Sequence, residues 1–352
     1  MDARHIPGGG DDKKISEWKV EVRRALIVAV EKAAGFPSLP QAHVDALRMR
    51  DFLVNSRGYP PENITIMMHH KNILPELYPS RANILREIGS MVRRTSPHDY
   101  LFFHYFGYGD QVTCKHNTES DGEDEAILTY TGKRIIDNVL KERLVDPLPQ
   151  GAKLFALWDC CHSHTMLDLE HYKCNELWSA PFKVLSGLGR KTKSFGESPS
   201  ARFLKDSSED QSSINDDSQA RFGSLTTDNI GLGPRASSPD TYLPKCTLDC
   251  PLTLPGEWVK AHVVSLSACR DDELACDDNV TGETVTKFFI DYLERNPKAS
   301  YYDLLSYIRH KVDGITRKLN SVEKENEDSN LISQRPSYSS HYRLDMLQMV
   351  DL

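Results

Sequence analysis

KLFALWDCCHSH, residues 153–164, runs from an apolar segment into a short polar turn that holds an acid, two thiols and two imidazoles. The apolar part is bounded and only a few residues long, as a buried strand is. In an open α/β sheet, ligands bind beyond the carboxyl ends of the strands, so a thiol just past such an end faces substrate. The first question is whether other strands end in chemistry beside this one.

Working outward, the pattern alternates. RALIVAV (24–30), NITIMM (63–68), DYLFFHY (99–105) and VVSLSA (263–268) read as further buried strands. HVDALRMRDFLVNS (43–56) and SRANILREIGSMVRR (80–94) read as helices; in the second, Ile84, Ile88, Met91 and Val92 share a face and Ser80 is a natural N-cap. IIDNVLKERLV (135–145) reads as helical. After VVSLSA come two more helices. One carries Val285, Phe288, Phe289, Tyr292 and Leu293 and stops before Asn296-Pro297. The other starts at Ser300, with Asp303 completing a capping box and Leu305, Ile308, Val312, Ile315 and Leu319 as its apolar stripe. Short apolar strands alternating with helices predict an α/β fold, a mainly parallel central sheet with helices on both faces.

Composition narrows the function. The chain has 352 residues, is 39% hydrophobic and 27% charged, and carries a formal net charge of −8. An acidic balance argues against a nucleic-acid partner. Runs such as ALIVAV (25–30) are too short for a bilayer, so no membrane partner is expected, and the Gly-Tyr-Gly triplet at 107–109 is no ion filter. The first residues, MDARHIPGGGDDKK, lack a hydrophobic signal region, which predicts a cytoplasmic, reducing compartment and cysteines present as thiols. Residues 1–22 read as a flexible tail, 23–185 as one folded region, 186–242 as a polar disordered insertion, and 243–352 as the remainder of the same domain. Residues 320–340 form a second polar stretch. The two Gly-Leu-Gly triplets in the insertion follow no strand and open no helix, so they are not nucleotide loops, and no organic cofactor is expected.

Three strand ends are polar: HYFGYGD (104–110), WDCCHSH (158–164) and SLSACRDD (265–272). If the strands are neighbours, the three turns share one rim. Several readings of the thiols stand. Cys161 is a nucleophile, its thiolate favoured if a helix starts after it. Alternatively Cys160 and Cys161 are packed core thiols. Metal binding by Cys160, Cys161, His162 and His164 does not match zinc-ligand spacing, and Cys246 and Cys250 lack a compact second pair.

At these residues the chain resembles the metacaspases, cysteine peptidases of the caspase fold. Their motifs H-Y-S-G-H-G and D-S-C-H-S-G correspond to HYFGYG (104–109) and DCCHSH (159–164), in the same order and in the same sheet context. LPQAHVDA (39–46), DGEDEAI (121–127), CHSHTMLDL (161–169), SACRDD (267–272) and RPSYSSHYRLDM (335–346) extend the likeness from about residue 23 to the C-terminus. The resemblance implies a caspase-like fold with Cys161 in the nucleophile position. It implies Asp45 and Asp159 as the acids that hold a basic P1 side chain, and so a peptide or protein partner with basic residues. It also implies calcium at Asp124, Asp137, Asn138 and Asp168. Asn138 replaces an acid there, so the site is weakened by one charge while keeping its oxygen.

The departure is at the base. Tyr108 stands in the position of the family histidine. A cysteine peptidase needs a group that takes the thiol proton and returns it to the leaving amine. Imidazole does both near neutrality. A phenol, with a pKa of about 10 against about 8.5 for a thiol, does neither. Phe106 replaces a serine and narrows the substrate pocket, and His164 replaces a glycine beside Cys161. His104 and His164 are the two candidates to rescue the base; His164 would have to fold back in a geometry foreign to the family. Two functions follow. One is a pseudo-protease that binds basic peptides or regulates an active metacaspase relative. The other is an active or weakly active calcium-dependent endopeptidase cleaving after Arg or Lys, with Arg190, Lys191, Lys193 and Arg202 as self-processing sites.

Overall fold

The computed structural model of the chain describes residues 21–114, 122–176, 246, 250–273, 275, 282–323 and 332–352. Residues 1–20 of the expected tail and the whole 186–242 insertion, with its four basic residues and its glycine triplets, lie outside them.

The main sheet has six strands: β1 (Arg23–Ala29), β2 (Ile64–Met68), β3 (Tyr100–Phe106), β7 (Lys153–Asp159), β8 (His262–Ser267) and β9 (Ser337–Ser340). Their order is β2-β1-β3-β7-β8-β9; all pairs are parallel except β8 with β9. The central strands are buried almost end to end, as a sheet covered on both faces requires. Successive residues alternate between two cores. Phe102, Phe106, Phe155, Leu157, Val264 and Leu266 point to one, while Leu101, Phe103, Tyr105, Ala156, Trp158 and Val263 point to the other.

Helix α1 (Gln41–Arg57) packs on the first face together with α4 (Val285–Arg295) and α5 (Tyr301–Glu323). The buried stripe of α1 is Ala42, Asp45, Ala46, Met49, Phe52 and Leu53. Asp45 is thus a carboxylate inside an apolar stripe, a placement that demands hydrogen-bond partners. Helix α2 (Arg81–Arg93) covers the second face through Ile84, Ile88, Met91 and Val92, with the Ser80 hydroxyl accepting from Asn83 N at 3.2 Å. The capping box at α5 forms: Asp303 N donates to Ser300 Oγ at 3.1 Å and Ser300 N to Asp303 Oδ2 at 3.3 Å.

Three features depart from the sequence reading. The 135–145 helix is shorter: β6 (Arg134–Ile136) comes first, then one turn of α3 (Asp137–Leu140), then a wider five-residue turn at Lys141–Val145. A second, antiparallel sheet is built from β4 (Gly109–Thr113), β5 (Glu123–Leu128) and β6, strands too short or, in β5, too acidic to announce themselves by hydrophobicity. The polar 320–340 stretch includes the end of α5 and all of β9, whose four residues are buried. No helix among the described residues is long and apolar enough to cross a membrane.

Candidate active site

β3, β7 and β8 are neighbours in register, Phe106 opposite Asp159 and Trp158 opposite Ser267. The three polar turns therefore share one rim, as their sequences require if the strands are adjacent. Contact between the first two is close. A Cβ added at Gly109 would lie 1.7 Å from the Cys161 carbonyl oxygen; within the first turn itself, one at Gly107 would lie 2.6 Å from the Tyr105 hydroxyl. Both glycines are needed for close approach, since neither has a positive φ.

The two cysteines of the turn differ. Cys160 is buried in the second core, and burial pushes its thiol well up. Cys161 is half-buried at the rim, where its Sγ accepts the Ala275 amide at 3.2 Å. Core packing thus describes Cys160 and not Cys161. No helix follows the thiol. Residues 160–167 are bends and turns, and His162 (φ 49°) takes a left-handed conformation that a helix cannot include. Helix-dipole assistance to Cys161 is therefore absent.

Tyr108 packs against Phe36, ring centroids 5.0 Å apart, in the second core. Its hydroxyl donates to the carbonyls of Pro37 and Glu31, in the connection between β1 and α1. Burial and the nearby Glu31 carboxylate push the phenol up to about 12. The turn is tied to the small sheet through its backbone, Leu128 N donating to Tyr108 O at 3.0 Å.

Neither candidate for rescue is a base in waiting. His104 is fully buried on the first face, beneath the start of α4. Its Nε2 lies 2.9 Å from Thr286 Oγ1, and burial lowers its pKa to about 3. His164 turns toward β9, its Nδ1 2.6 Å from Ser337 Oγ and its ring against Tyr172; burial, aided by Arg270, lowers it to about 4.

Asp45 and Asp159 come together at the N-terminus of α4. Asp159 accepts from Thr286 N and Thr286 Oγ1, both at 2.7 Å, while Asp45 accepts from the Thr284 hydroxyl and from Arg48 at 3.0 Å. Burial, with Asp45 as a like charge, raises Asp159 to about 7. Burial raises Asp45 too. Phe106 is buried in the first core and ends the strand opposite Asp159. Thr284 and Thr286 escape a sequence reading because only the fold brings α4 to β7; their one local signal is Thr284 as N-cap.

Asp124 lies beside Asn138, and Asp137 beside Asp168. Asn138 Nδ2 lies 3.5 Å from Asp124 Oδ1. Asp137 accepts the backbone amides of Glu125 and Asn138. Burial first, then the neighbouring Asp168 and Glu125 carboxylates, raise Asp137 to about 9. Glu125 lies near enough to act on Asp137, and its Oε2 accepts from Thr165 Oγ1 at 2.6 Å. These acids link β5 and α3 to the connection that begins at Cys161. All four side chains offer hard oxygens, the ligand type that calcium takes.

Residues 23–170 match the family model for the metacaspase, peptidase C14 domain. Metacaspase-1 of Cryptococcus neoformans is 28% identical over 298 residues, 83% of this chain and 60% of that protein. Metacaspase-1 of Schizosaccharomyces pombe is 28% identical over 350 residues, 97% of this chain and 72% of that protein. The chain spans about 60% of the length of the first curated relatives it matches. Among solved structures, protein GSU0716 of Geobacter sulfurreducens superposes with a TM-score of 0.50 at 16% identity, over 93% of this chain and 97% of that one, a likeness of fold. Over residues 23–170 the chain is thus similar to the metacaspase, peptidase C14 domain, and over most of its length to metacaspases.

Proposed function

We propose that the chain is a metacaspase-like pseudo-protease, impaired in proteolysis, that works by binding basic peptide segments or by regulating an active metacaspase relative. The observation that carries this reading is the state of Tyr108. Its hydroxyl is committed to two carbonyls on the far side of the turn, and its pKa is raised further above that of a thiol. Neither His104 nor His164 compensates, as both are buried, neutral and hydrogen-bonded elsewhere. General acid–base assistance is worth roughly 10²–10⁴-fold, and an unassisted thiol is only a few per cent ionised near pH 7.

Asp45 and Asp159 would take the basic side chain, an incoming cation favouring their ionised forms. Asp124, Asp137, Asn138 and Asp168 would hold calcium, which would neutralise the buried carboxylates and steady the connection that begins at Cys161. Its action is proposed for the cytoplasm.

The second reading, a weakly active calcium-dependent endopeptidase cleaving after Arg or Lys, is favoured by one observation. Cys161 keeps its sulfur at the rim with an amide donor on it. Hydrolysis of Arg- and Lys-P1 peptides, with and without calcium and with Cys161→Ala as control, separates the two. The proposal expects near-background turnover together with basic-peptide binding that weakens in Asp45→Asn. Robust hydrolysis abolished by Cys161→Ala would overturn it.

A further inference from the structure

We propose that His171, Cys174, Cys246 and Cys250 form a structural zinc site that clips together the two ends of the 177–245 segment. Nothing in this site depends on proteolysis. The His171 nitrogen and the three sulfurs all lie within 4.8 Å of one another. Cys174 Sγ is 3.3 Å from His171 Nδ1, and Cys246 Sγ is 3.8 Å from Cys250 Sγ. Zinc with bonds of about 2.3 Å to sulfur and about 2.0 Å to nitrogen sets tetrahedral ligand atoms roughly 3.5–3.8 Å apart. The separations found are those of a cage of about the right size.

The donor set supports the same metal. Three thiolates and an imidazole are the Cys₃His set of closed, structural zinc sites, and soft sulfur selects zinc over calcium or magnesium. The cysteines are buried, with Tyr172 packed on them, so the site is enclosed rather than open to substrate. His-x₂-Cys and Cys-x₃-Cys are compact pairs of the kind zinc takes. On sequence alone the second pair looked isolated because its partner lies 72 residues earlier in the chain. The alternative is a Cys246–Cys250 disulfide. A sulfur separation of 3.8 Å is far beyond the bonded distance of about 2.05 Å, and a disulfide needs neither Cys174 nor His171.

The surrounding backbone is arranged to hold the ligands. His171 exchanges two backbone hydrogen bonds with Ser340 of β9, at 2.9 and 3.0 Å. Asn175 Nδ2 donates to His171 O at 2.8 Å and to Ser340 Oγ at 2.7 Å, and Arg343 donates to the carbonyl of Cys250. The connection that opens at Cys161 therefore closes at this cluster, against the strand whose Ser337 meets His164. Zinc would fix the far end of the Cys161 turn to the sheet edge and bring Cys246 and Cys250 onto it.

The test is metal content of the full chain, produced with zinc and dialysed against a weak chelator. Elemental analysis should find about one zinc per chain, unchanged in Cys161→Ala and reduced to background in Cys174→Ser and Cys250→Ser. His171→Cys should retain the metal, because four thiolates also close a tetrahedral site. Cobalt(II) should give the visible bands of tetrahedral thiolate coordination in the wild type. With calcium present throughout, a zinc-selective chelator should lower the melting temperature and added zinc should restore it. Should the serine variants fail to fold, the wild-type cobalt spectrum and the His171→Cys content still decide. A wild-type protein that takes up neither zinc nor cobalt, full zinc in a Cys174→Ser/Cys250→Ser double variant, or a Cys246–Cys250 disulfide in metal-free protein would overturn the proposal.

Discussion

The Cys161 turn and the Tyr108 turn lie against each other on one rim, and they differ in where their functional atoms point. At the first, the sulfur stays half-buried at the edge with a backbone donor. At the second, the hydroxyl reaches away to the 31–37 connection. The backbone fit between them is nevertheless tight enough that Gly109 has no room for a methyl group. Shape and direction are thus separable: two turns can pack tightly together while their functional atoms point apart.

The largest expected effect comes from placing a histidine at position 108. Tyr108→His, assayed on Arg-P1 peptides, should raise Cys161-dependent hydrolysis by about 10²-fold or more. Adding Phe106→Ser and His164→Gly should widen access to the site. If the folded triple variant hydrolyses no faster than the wild type, these side chains do not limit hydrolysis. Next is the contact itself. Gly109→Ala should cost about 3 kcal/mol, because the colliding atom is backbone and cannot rotate away. Urea denaturation would measure it, and a cost under about 1 kcal/mol would mean that the two turns are not held at this separation.

How much of this was legible differs residue by residue. The rim was readable because β3, β7 and β8 are continuous apolar runs, each ending abruptly in polar residues. Strand β5, Glu-Asp-Glu-Ala-Ile-Leu, was not, because its buried acids are met by Asn138 of α3 and Thr165 of the Cys161 connection rather than by hydrophobicity. Strand β9 hides for a related reason: Ser337, Ser339 and Ser340 are buried through hydrogen bonds to His164, Asn175 and Tyr342. The identity of Tyr108 was visible, but its direction was not, since that depends on Phe36 and Pro37 folding over it. The convergence of Cys174 with Cys246 depends on sheet pairing that no local spacing encodes.

The two acid pairs sharpen the contrast between the rim and its support. Asp137, raised to about 9, keeps its proton in the folded chain where an unfolded one would release it. Its contribution is therefore fully present below the ordinary carboxylate range and is lost as pH rises toward 9, at up to about 1.4 kcal/mol per pH unit. Asp159, raised to about 7, acts in the same sense over the lower part of that window. With a calcium chelator present, Asp137→Asn should gain stability relative to the wild type as pH climbs from 6 to 9. Calcium should flatten the wild-type slope by favouring the ionised carboxylate. Parallel curves for the two proteins in chelator would remove Asp137 as the source.

The smallest effect is the most specific to Tyr108. If its hydroxyl is an anchor for the 31–37 connection and not a base, Tyr108→Phe deletes hydrogen bonds to Pro37 O and Glu31 O while keeping the ring on Phe36. Such a loss should cost about 1 kcal/mol of stability, and whatever residual hydrolysis the wild type has should stay the same. A base role predicts the opposite pattern, with stability barely moved and hydrolysis gone. Because Phe keeps the shape that Tyr108→His disturbs, it isolates the phenolic proton from the packing of the turn. Residual turnover that vanishes in Tyr108→Phe would make the phenol part of the chemistry, and the two turns would then differ in rate rather than in kind.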